Sequence, residues 1–127
     1  MPVVLLAVDD AERAASQAAQ LLDLFDGDRL TVWVLHVFGE NAEGSSVSQV
    51  EAARRAEERL LDGGAEVTLR GESGDPADRI VAVADELDVD AVCVGGRDRS
   101  PTGKALFGSV AQSVMLRTER PVLFCRR

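Results

Sequence analysis

Nearly uninterrupted apolar runs alternate along the chain with segments in which apolar residues recur every three or four positions. Four such runs span residues 3–8, 30–37, 91–94 and 121–125. A run of this kind is typical of a strand that helices cover on both faces. A fifth segment, residues 66–70, alternates polar and apolar side chains, which is typical of a strand at a sheet edge. The pattern therefore predicts five strands.

Helical spacing of apolar residues fills the intervals between these strands. Asp10 is a predicted N-cap, and so is Asp75, which is followed by proline at the first helical position. Ser48 begins a Ser-x-x-Glu sequence that fits a capping box. Four helices are predicted, over residues 11–25, 49–61, 76–87 and 109–117, the last with Val110, Val114 and Met115 facing inward.

Helices between successive strands require right-handed crossovers. The predicted fold class is therefore α/β, with a five-stranded open parallel sheet and helices on both faces. The chain has 127 residues, the size of one domain, and we expect residues 1–127 to form a single one. Ligands of such sheets bind beyond the carboxyl ends of the strands, where the strand order reverses. The spacing alone leaves open which two strands flank that reversal.

Charge and hydropathy argue against several classes of partner. The chain carries 22 acidic and 14 basic residues, a net charge of −8, which disfavours nucleic acid and anionic membrane surfaces. No apolar run approaches the roughly 20 residues of a membrane span, and the first run lacks the basic flank of a secretory signal. We therefore expect a soluble cytoplasmic protein. Cys93 and Cys125 lie within apolar runs and are expected to be buried thiols.

The segment after the fourth predicted strand combines features that suit a phosphate-bearing ligand. Residues 95–109 contain four glycines and three basic residues, including Lys104, the only lysine of the chain. Glycine lets the backbone approach a ligand closely, and free amides at the predicted helix start favour an anion. The alternative is a solvated loop with Ser109 as an ordinary N-cap. The spacing fits no Walker loop, and no Gly-x-Gly-x-x-Gly sequence follows the first strand.

The chain resembles the universal stress protein family over essentially its whole length. The residues that carry the resemblance are the apolar first strand ending in Asp9 and the segments 35–37, 94–110 and 120–123. The family's nucleotide motif is a glycine, two residues, a second glycine, nine residues, then glycine followed by serine or threonine. Gly95 and the pair Gly108-Ser109 match this motif without a gap, whereas its second glycine falls on Asp98.

The resemblance implies a Rossmann-like fold, similar to that of the adenine nucleotide alpha hydrolases, with ATP in a crevice between the first and fourth strands. It implies that Asp9 hydrogen-bonds the ribose or the adenine edge, and that Val37 contacts adenine through its backbone. It also implies that Val94 and Gly95 line the nucleotide.

At the phosphates, the resemblance implies amides and a hydroxyl from the start of the last helix, namely Gly108, Ser109 and Val110. The basic residues of the segment are not part of the family motif. From their positive charge we expect these basic residues to neutralise the phosphates: Arg97, Arg99 and Lys104.

Asp98 leaves open whether the segment binds ATP or has lost it. A carboxylate within ~4–6 Å of a phosphate is unfavourable unless a cation screens it. Arg97 and Arg99 could pair with Asp98, and Mg²⁺ could bridge it to the phosphates. The leading hypothesis is therefore an ATP-binding protein with a stress-response or regulatory role. The alternative is a dimeric interaction module of the same fold that does not bind nucleotide.

Catalysis beyond slow ATP hydrolysis is not expected. The sequence offers no evident general base, metal triad or arginine finger, and Ser109 has no base near it in the sequence. His36 is the only histidine and lies in or at the end of a predicted strand, where we expect a structural role.

The last predicted strand suggests a partner. Residues Val122–Cys125 would form an apolar, unprotected sheet edge if the strand order follows the family, and such an edge can pair with another chain. Because universal stress proteins form two-fold dimers through this strand, the resemblance implies a homodimer.

Overall fold

The computed structural model of the protein describes residues 1–39, 46–96 and 108–125. The strands are β1 (Val3–Ala7), β2 (Thr31–Phe38), β3 (Glu66–Ser73), β4 (Ala91–Gly95) and β5 (Val122–Cys125). The helices are α1 (Ala11–Leu24), α2 (Glu51–Asp62), α3 (Pro76–Leu87) and α4 (Ser109–Arg117), with short 3₁₀ turns at Gly27–Arg29 and Val47–Gln49. None of the helices in these three ranges is both long and apolar enough to cross a membrane.

The five strands pair in parallel in the order β3-β2-β1-β4-β5. Leu5 of β1 lies opposite Trp33 of β2 on one side and Val92 of β4 on the other. The chain therefore moves outward from β1 to β3, returns across the sheet and continues outward from β4 to β5. The predicted open parallel sheet is confirmed, and its strand order reverses between β1 and β4, the pair that the family resemblance indicates.

Successive residues of β1 point to opposite faces of the sheet and contribute to two cores. Leu6 packs beneath α1 and α2, where buried alanines such as Ala18 and Ala53 let the helices lie close to the sheet. Leu5 packs on the other face with Val83 of α3 and Val114 of α4. Helices therefore cover both faces, as the uninterrupted apolar strands predict.

Two aspartates cap helices as predicted. Asp10 Oδ2 accepts a hydrogen bond from the Arg13 amide at 3.1 Å, and Asp75 Oδ2 accepts one from the Asp78 amide at 3.0 Å. Pro76 follows Asp75 at the start of α3, where its missing amide hydrogen costs nothing. Both helix starts are thereby fixed at the carboxyl edge of the sheet.

The predicted capping box at Ser48 is wrong. Ser48 lies inside the 3₁₀ turn Val47–Gln49, and α2 begins two residues later than a Ser48 cap requires, with Val50 as N-cap and no side-chain cap. Val47 and Val50 both pack against the core beneath α2. Burial of these two valines therefore outweighs the local capping preference of the serine.

The two sheet edges are β3 and β5, as the sequence pattern and the family strand order predict. β3 is longer than predicted, because its backbone stays paired with β2 as far as Ser73 opposite Phe38. Arg70 of β3 donates through Nη2 to Glu86 Oε1 of α3 at 3.0 Å. Charged side chains of this kind discourage further pairing at the β3 edge.

Candidate functional site

A cavity of about 240 Å³ opens at the carboxyl ends of β1 and β4. Residues of α1 line it from one face of the sheet, and residues of α3 and α4 line it from the other. Its position follows from the topology, because the crossovers that leave β1 and β4 diverge to opposite sides of the sheet. We therefore take this cavity as the candidate site.

Seven of the eleven predicted site residues line this cavity: Asp9, Val37, Val94, Gly95, Gly108, Ser109 and Val110. They come together because the ends of β1, β2 and β4 meet the start of α4 at one edge of the sheet. The other four, Arg97, Asp98, Arg99 and Lys104, lie outside the described residues.

One wall of the cavity is apolar. Leu35 and Val37 contribute from the end of β2, and Val94 contributes from β4. Pro76 and Ile80 of α3 belong to the same lining. Sequence reasoning did not place these two residues in the site, although the predicted start of α3 at Asp75 was a usable signal. An apolar wall of this kind suits a ring or another apolar group of a ligand.

The first turn of α4 forms another part of the lining. Gly108 is the N-cap, with φ −74° and ψ 163°, and within residues 1–39, 46–96 and 108–125 no side chain caps the helix. Ser109 is the first helical residue and not the N-cap, because Gly108 already adopts the extended conformation that precedes the helix. Amides in the first turn of a helix have no partner within that helix, and together with the helix dipole they favour an anion.

The inward orientation predicted for Val110 is wrong. Val110 is 36% exposed and lines the cavity, while the next residue, Ala111, is buried. Val114 and the partly buried Met115 do pack against the core, as predicted. The apolar face of α4 therefore starts one residue later than predicted, and the helix presents its first turn to the cavity.

Two carboxylates and one guanidinium also belong to the lining. Asp9 is exposed just beyond β1, whereas Asp10 caps α1 through the amide of Arg13. The lining residues within the described ranges therefore carry two negative charges and one positive charge. An anion bound here would depend on the amides of α4, on a metal ion or on further basic residues to offset these carboxylates.

Gln17 is the only buried polar side chain in residues 1–39, 46–96 and 108–125, with 2% of its surface exposed. Its Nε2 donates to the Ala7 carbonyl oxygen at 3.1 Å and lies 3.9 Å from the Cys93 sulfur. The amide also lies against Gly95, where an added Cβ would come within 3.3 Å of Gln17 Cδ. Sequence reasoning missed Gln17, although its spacing places a polar side chain on the apolar face of α1.

Cys93 and Cys125 are buried free thiols on neighbouring strands, as predicted. Their sulfurs lie 2.9 Å apart. The hydrogen bond to Cys125, together with burial, raises the pKa of the Cys93 thiol well above its ordinary value. Cys93 therefore stays protonated at neutral pH, which makes it a poor nucleophile.

His36 lies in a packed environment. Its Nδ1 is 3.2 Å from the Val8 carbonyl oxygen, and its ring meets the edge of Phe38 with the centroids 4.8 Å apart. In the part of the chain that the structure describes, no group of three or more histidine, cysteine, aspartate or glutamate side chains could hold a metal ion.

Comparison with known proteins identifies relatives of the chain. A sequence model of the universal stress protein family matches residues 1–126. A universal stress protein from Mycolicibacterium smegmatis is 37% identical over 83 residues, which are 65% of this chain and 59% of that relative. The aligned part therefore spans little more than half the length of this curated relative.

Solved structures share the fold over nearly the whole chain. A universal stress protein from Archaeoglobus fulgidus in complex with dAMP is 25% identical, with a TM-score of 0.72, and the match covers 98% of this chain and 97% of that one. A universal stress protein in complex with cAMP is 22% identical, with a TM-score of 0.76, and the match covers 98% and 96%.

Proposed function

The chain belongs to the universal stress protein family, and we propose that its cavity binds an adenine nucleotide, ATP, in a stress-response or regulatory role. The observation that carries the proposal is the combination of two surfaces in one cavity. An apolar wall from β2 and α3 stands beside the uncapped first turn of α4. A nucleotide has the matching parts, since its base is flat and largely apolar on its faces and its phosphates are anionic.

The proposed orientation follows from these surfaces. The base lies against Leu35, Val37 and Ile80, and the phosphates receive the amides of residues 108–110. Asp9 stands at the end of β1, within the same lining, where it accepts a hydrogen bond from the ribose or the adenine edge. The sugar connects the two ends across the strands β1 and β4.

Two relatives support the nucleotide class. The structures in complex with dAMP and with cAMP both hold an adenine nucleotide with one phosphate. The extension to ATP, with Mg²⁺, rests on the sequence after β4. There Arg97, Arg99 and Lys104 add positive charge to the one guanidinium of the described lining, and Mg²⁺ or the arginines offset Asp98.

A homodimer through β5 is part of the proposal. β5 is an edge strand, and the side chains of Val122, Leu123 and Phe124 are only partly buried. A second copy pairing with this edge would cover them. Light scattering of the purified protein should give twice the chain mass, and Leu123→Lys should give the single mass; a monomeric unaltered protein would contradict the dimer.

Analysis of bound and added nucleotide tests the proposed function. Small molecules released by denaturing the purified protein should include an adenine nucleotide. Calorimetric titration should show saturable binding of ATP, ADP or AMP, measured with and without Mg²⁺ and at low and high salt. The absence of released nucleotide, together with no thermal shift in Mg²⁺-ATP, would contradict the proposal and favour the dimeric interaction module.

The same samples test for catalysis. We propose binding with at most slow hydrolysis, because His36, the only histidine of the sequence, lies against the Val8 carbonyl oxygen and Phe38 and does not belong to the cavity lining. Repeated turnover of ATP that Ser109→Ala abolishes would show instead that the protein is an enzyme.

A further inference from the structure

One polar atom of the cavity lining accepts no hydrogen bond from the residues that the structure describes. Gln17 lines the cavity although only 2% of its surface is exposed. Both contacts that the described residues make with its amide involve Nε2, one to the Ala7 carbonyl oxygen and one to the Cys93 sulfur. Within those residues the amide oxygen, Oε1, accepts no hydrogen bond. In the part of the chain that the structure describes, the buried side-chain atom that lacks a partner is Arg79 Nε, and Gln17 Oε1 is not enclosed in this way. Oε1 therefore keeps access to the cavity, where a ligand can reach it.

The chemistry of Oε1 limits which ligand group it can meet. An amide oxygen only accepts hydrogen bonds, so the ligand must present a donor. Phosphate oxygens are acceptors and anionic, and they are unfavourable next to Oε1. If the proposed function is correct, the remaining donors are the exocyclic amino group of the base and the hydroxyls of the sugar.

The position of Gln17 in the fold separates these two donors. The apolar wall that suits the base includes Pro76 and Ile80, and α3 packs on one face of the sheet. Gln17 belongs to α1, which packs on the other face, and its amide lies against Gly95 at the end of β4. In the proposed orientation, the sugar crosses this place between the base and the phosphates at α4.

We propose that Gln17 Oε1 accepts a hydrogen bond from a ribose hydroxyl and thereby makes the site selective for ribonucleotides over deoxynucleotides. The proposal rests on the proposed function, because it assigns a residue to the sugar of the same nucleotide. Gln17 is suited to this role because it is neutral and buried. A bound ligand covers Oε1, so a ligand that lacks the hydroxyl leaves this acceptor unpaired beneath it, whereas the exposed Asp9 can turn to water.

Affinities for ATP, 2′-deoxy-ATP and 3′-deoxy-ATP test the inference on the unaltered protein. ATP should bind about tenfold more tightly than the analogue that lacks the contacted hydroxyl. Equal affinities for all three nucleotides would overturn the inference and leave the proposed function standing. If none of the three binds, the proposed function fails and the inference fails with it.

Gln17→Met assigns the selectivity to this side chain. Methionine has a similar length, so it keeps the packing against Gly95 but offers no comparable acceptor. The preference for ATP should fall to within about twofold in this variant, mainly through weaker ATP binding. Gln20→Met on the same helix, whose side chain bonds to Ser16 and does not line the cavity, is the matched control and should keep the full preference.

Thermal melts establish first that each variant is folded. If Gln17→Met does not fold, Gln17→Leu replaces it in the affinity measurements. A folded Gln17 variant that keeps the tenfold preference would contradict the role of Gln17.

Discussion

Helices α1 and α4 begin at the same edge of the sheet but differ in whether a side chain accepts a hydrogen bond from their first-turn amides. α1 starts after Asp10, whose carboxylate accepts a hydrogen bond from the Arg13 amide at 3.1 Å. α4 starts after Gly108, and no side chain of the described residues caps it. Both starts line the cavity. A helix whose own residue satisfies its amides has little to offer a ligand, whereas an uncapped start can receive an anion.

The other two helices show that neither feature alone makes a site. α3 is capped by Asp75 in the same way as α1. α2 has no side-chain cap, but its first turn does not line the cavity. In the described residues, α4 combines an uncapped start with a place in the cavity. This combination is why we assign the phosphates to α4.

Gly108→Asp should have the largest effect on ATP binding, because it gives α4 the kind of aspartate cap that α1 has and so removes the difference between the two helix starts. Position 108 has a negative φ of −74°, so a side chain is tolerated by the backbone. The new carboxylate should occupy the amides and repel phosphate, and ATP affinity should fall about a hundredfold. Stability should change by only roughly a few tenths of a kcal/mol, because glycine and aspartate are both good N-caps.

Calorimetry and thermal melting separate these two effects. Gly108→Asn is the matched control, since it adds a neutral cap of nearly the same shape and should weaken ATP less than the aspartate does. Unchanged ATP affinity in folded Gly108→Asp would contradict the assignment of phosphate to α4.

Asp98→Gly should sharpen the difference between the helices by removing a carboxylate from the sequence between β4 and α4. If Asp98 opposes the phosphates, ATP affinity should rise about tenfold at low salt and less at high salt. Asp23→Asn removes a negative charge from α1 without touching the cavity and should leave the affinity unchanged. A weaker ATP affinity in Asp98→Gly would indicate that Asp98 helps binding, as a ligand of Mg²⁺ would.

Asp10→Ala and Asp75→Ala compare a helix cap that lines the cavity with one that does not. Each variant loses one hydrogen bond to a first-turn amide, at Arg13 or at Asp78, and should lose about 1 kcal/mol of stability in urea unfolding. Asp75→Ala should leave ATP affinity unchanged. Asp10→Ala should bind ATP as well as the unaltered protein or better, because it removes a negative charge from the lining; weaker binding would contradict this reading of the carboxylate.

The smallest effect is expected at the β3 edge, away from the cavity. Arg70 lowers the pKa of Glu86 through a hydrogen bond, so the folded pKa lies below the unfolded one. The stabilisation is therefore complete above the unfolded pKa of about 4.3 and is lost as the pH falls through the folded pKa. Glu86→Gln should unfold slightly more easily at pH 7, and the difference from the unaltered protein should vanish in acid; a difference that persists at low pH would contradict this linkage.

Much of the fold could be predicted because local pattern and global topology agree. The uninterrupted apolar residues of β1 and β4 indicate strands buried on both faces, and Asp10 and Asp75 indicate helix starts. The prediction of a helix cap at Ser48 was wrong because the capping preference of one serine stabilises less than the burial of Val47 and Val50. The reversal between β1 and β4 came from the family resemblance, since strand order depends on contacts between distant segments.

Site residues that belong to one continuous segment were predictable, whereas those that distant helices bring to the cavity were less so. Gly108 and Ser109 could be named because they stand at the start of a predicted helix. Ile80 and Gln17 enter the cavity only because the crossovers bring α3 and α1 to the same edge of the sheet. Gln17 carried a local signal as well, because it is a polar residue on an otherwise apolar helix face, but such a position does not reveal what the side chain faces.

Amide chemical shifts during a nucleotide titration show whether the first turn of α4 receives the phosphates. In a ¹⁵N-labelled sample titrated first with AMP and then with ATP, we expect saturable shifts at Gly108, Ser109 and Val110. The amide of Asp78, in the capped first turn of α3, should shift far less. No shifts at residues 108–110 at a nucleotide concentration that saturates binding, or shifts confined to β5, would contradict the placement of the phosphates at α4.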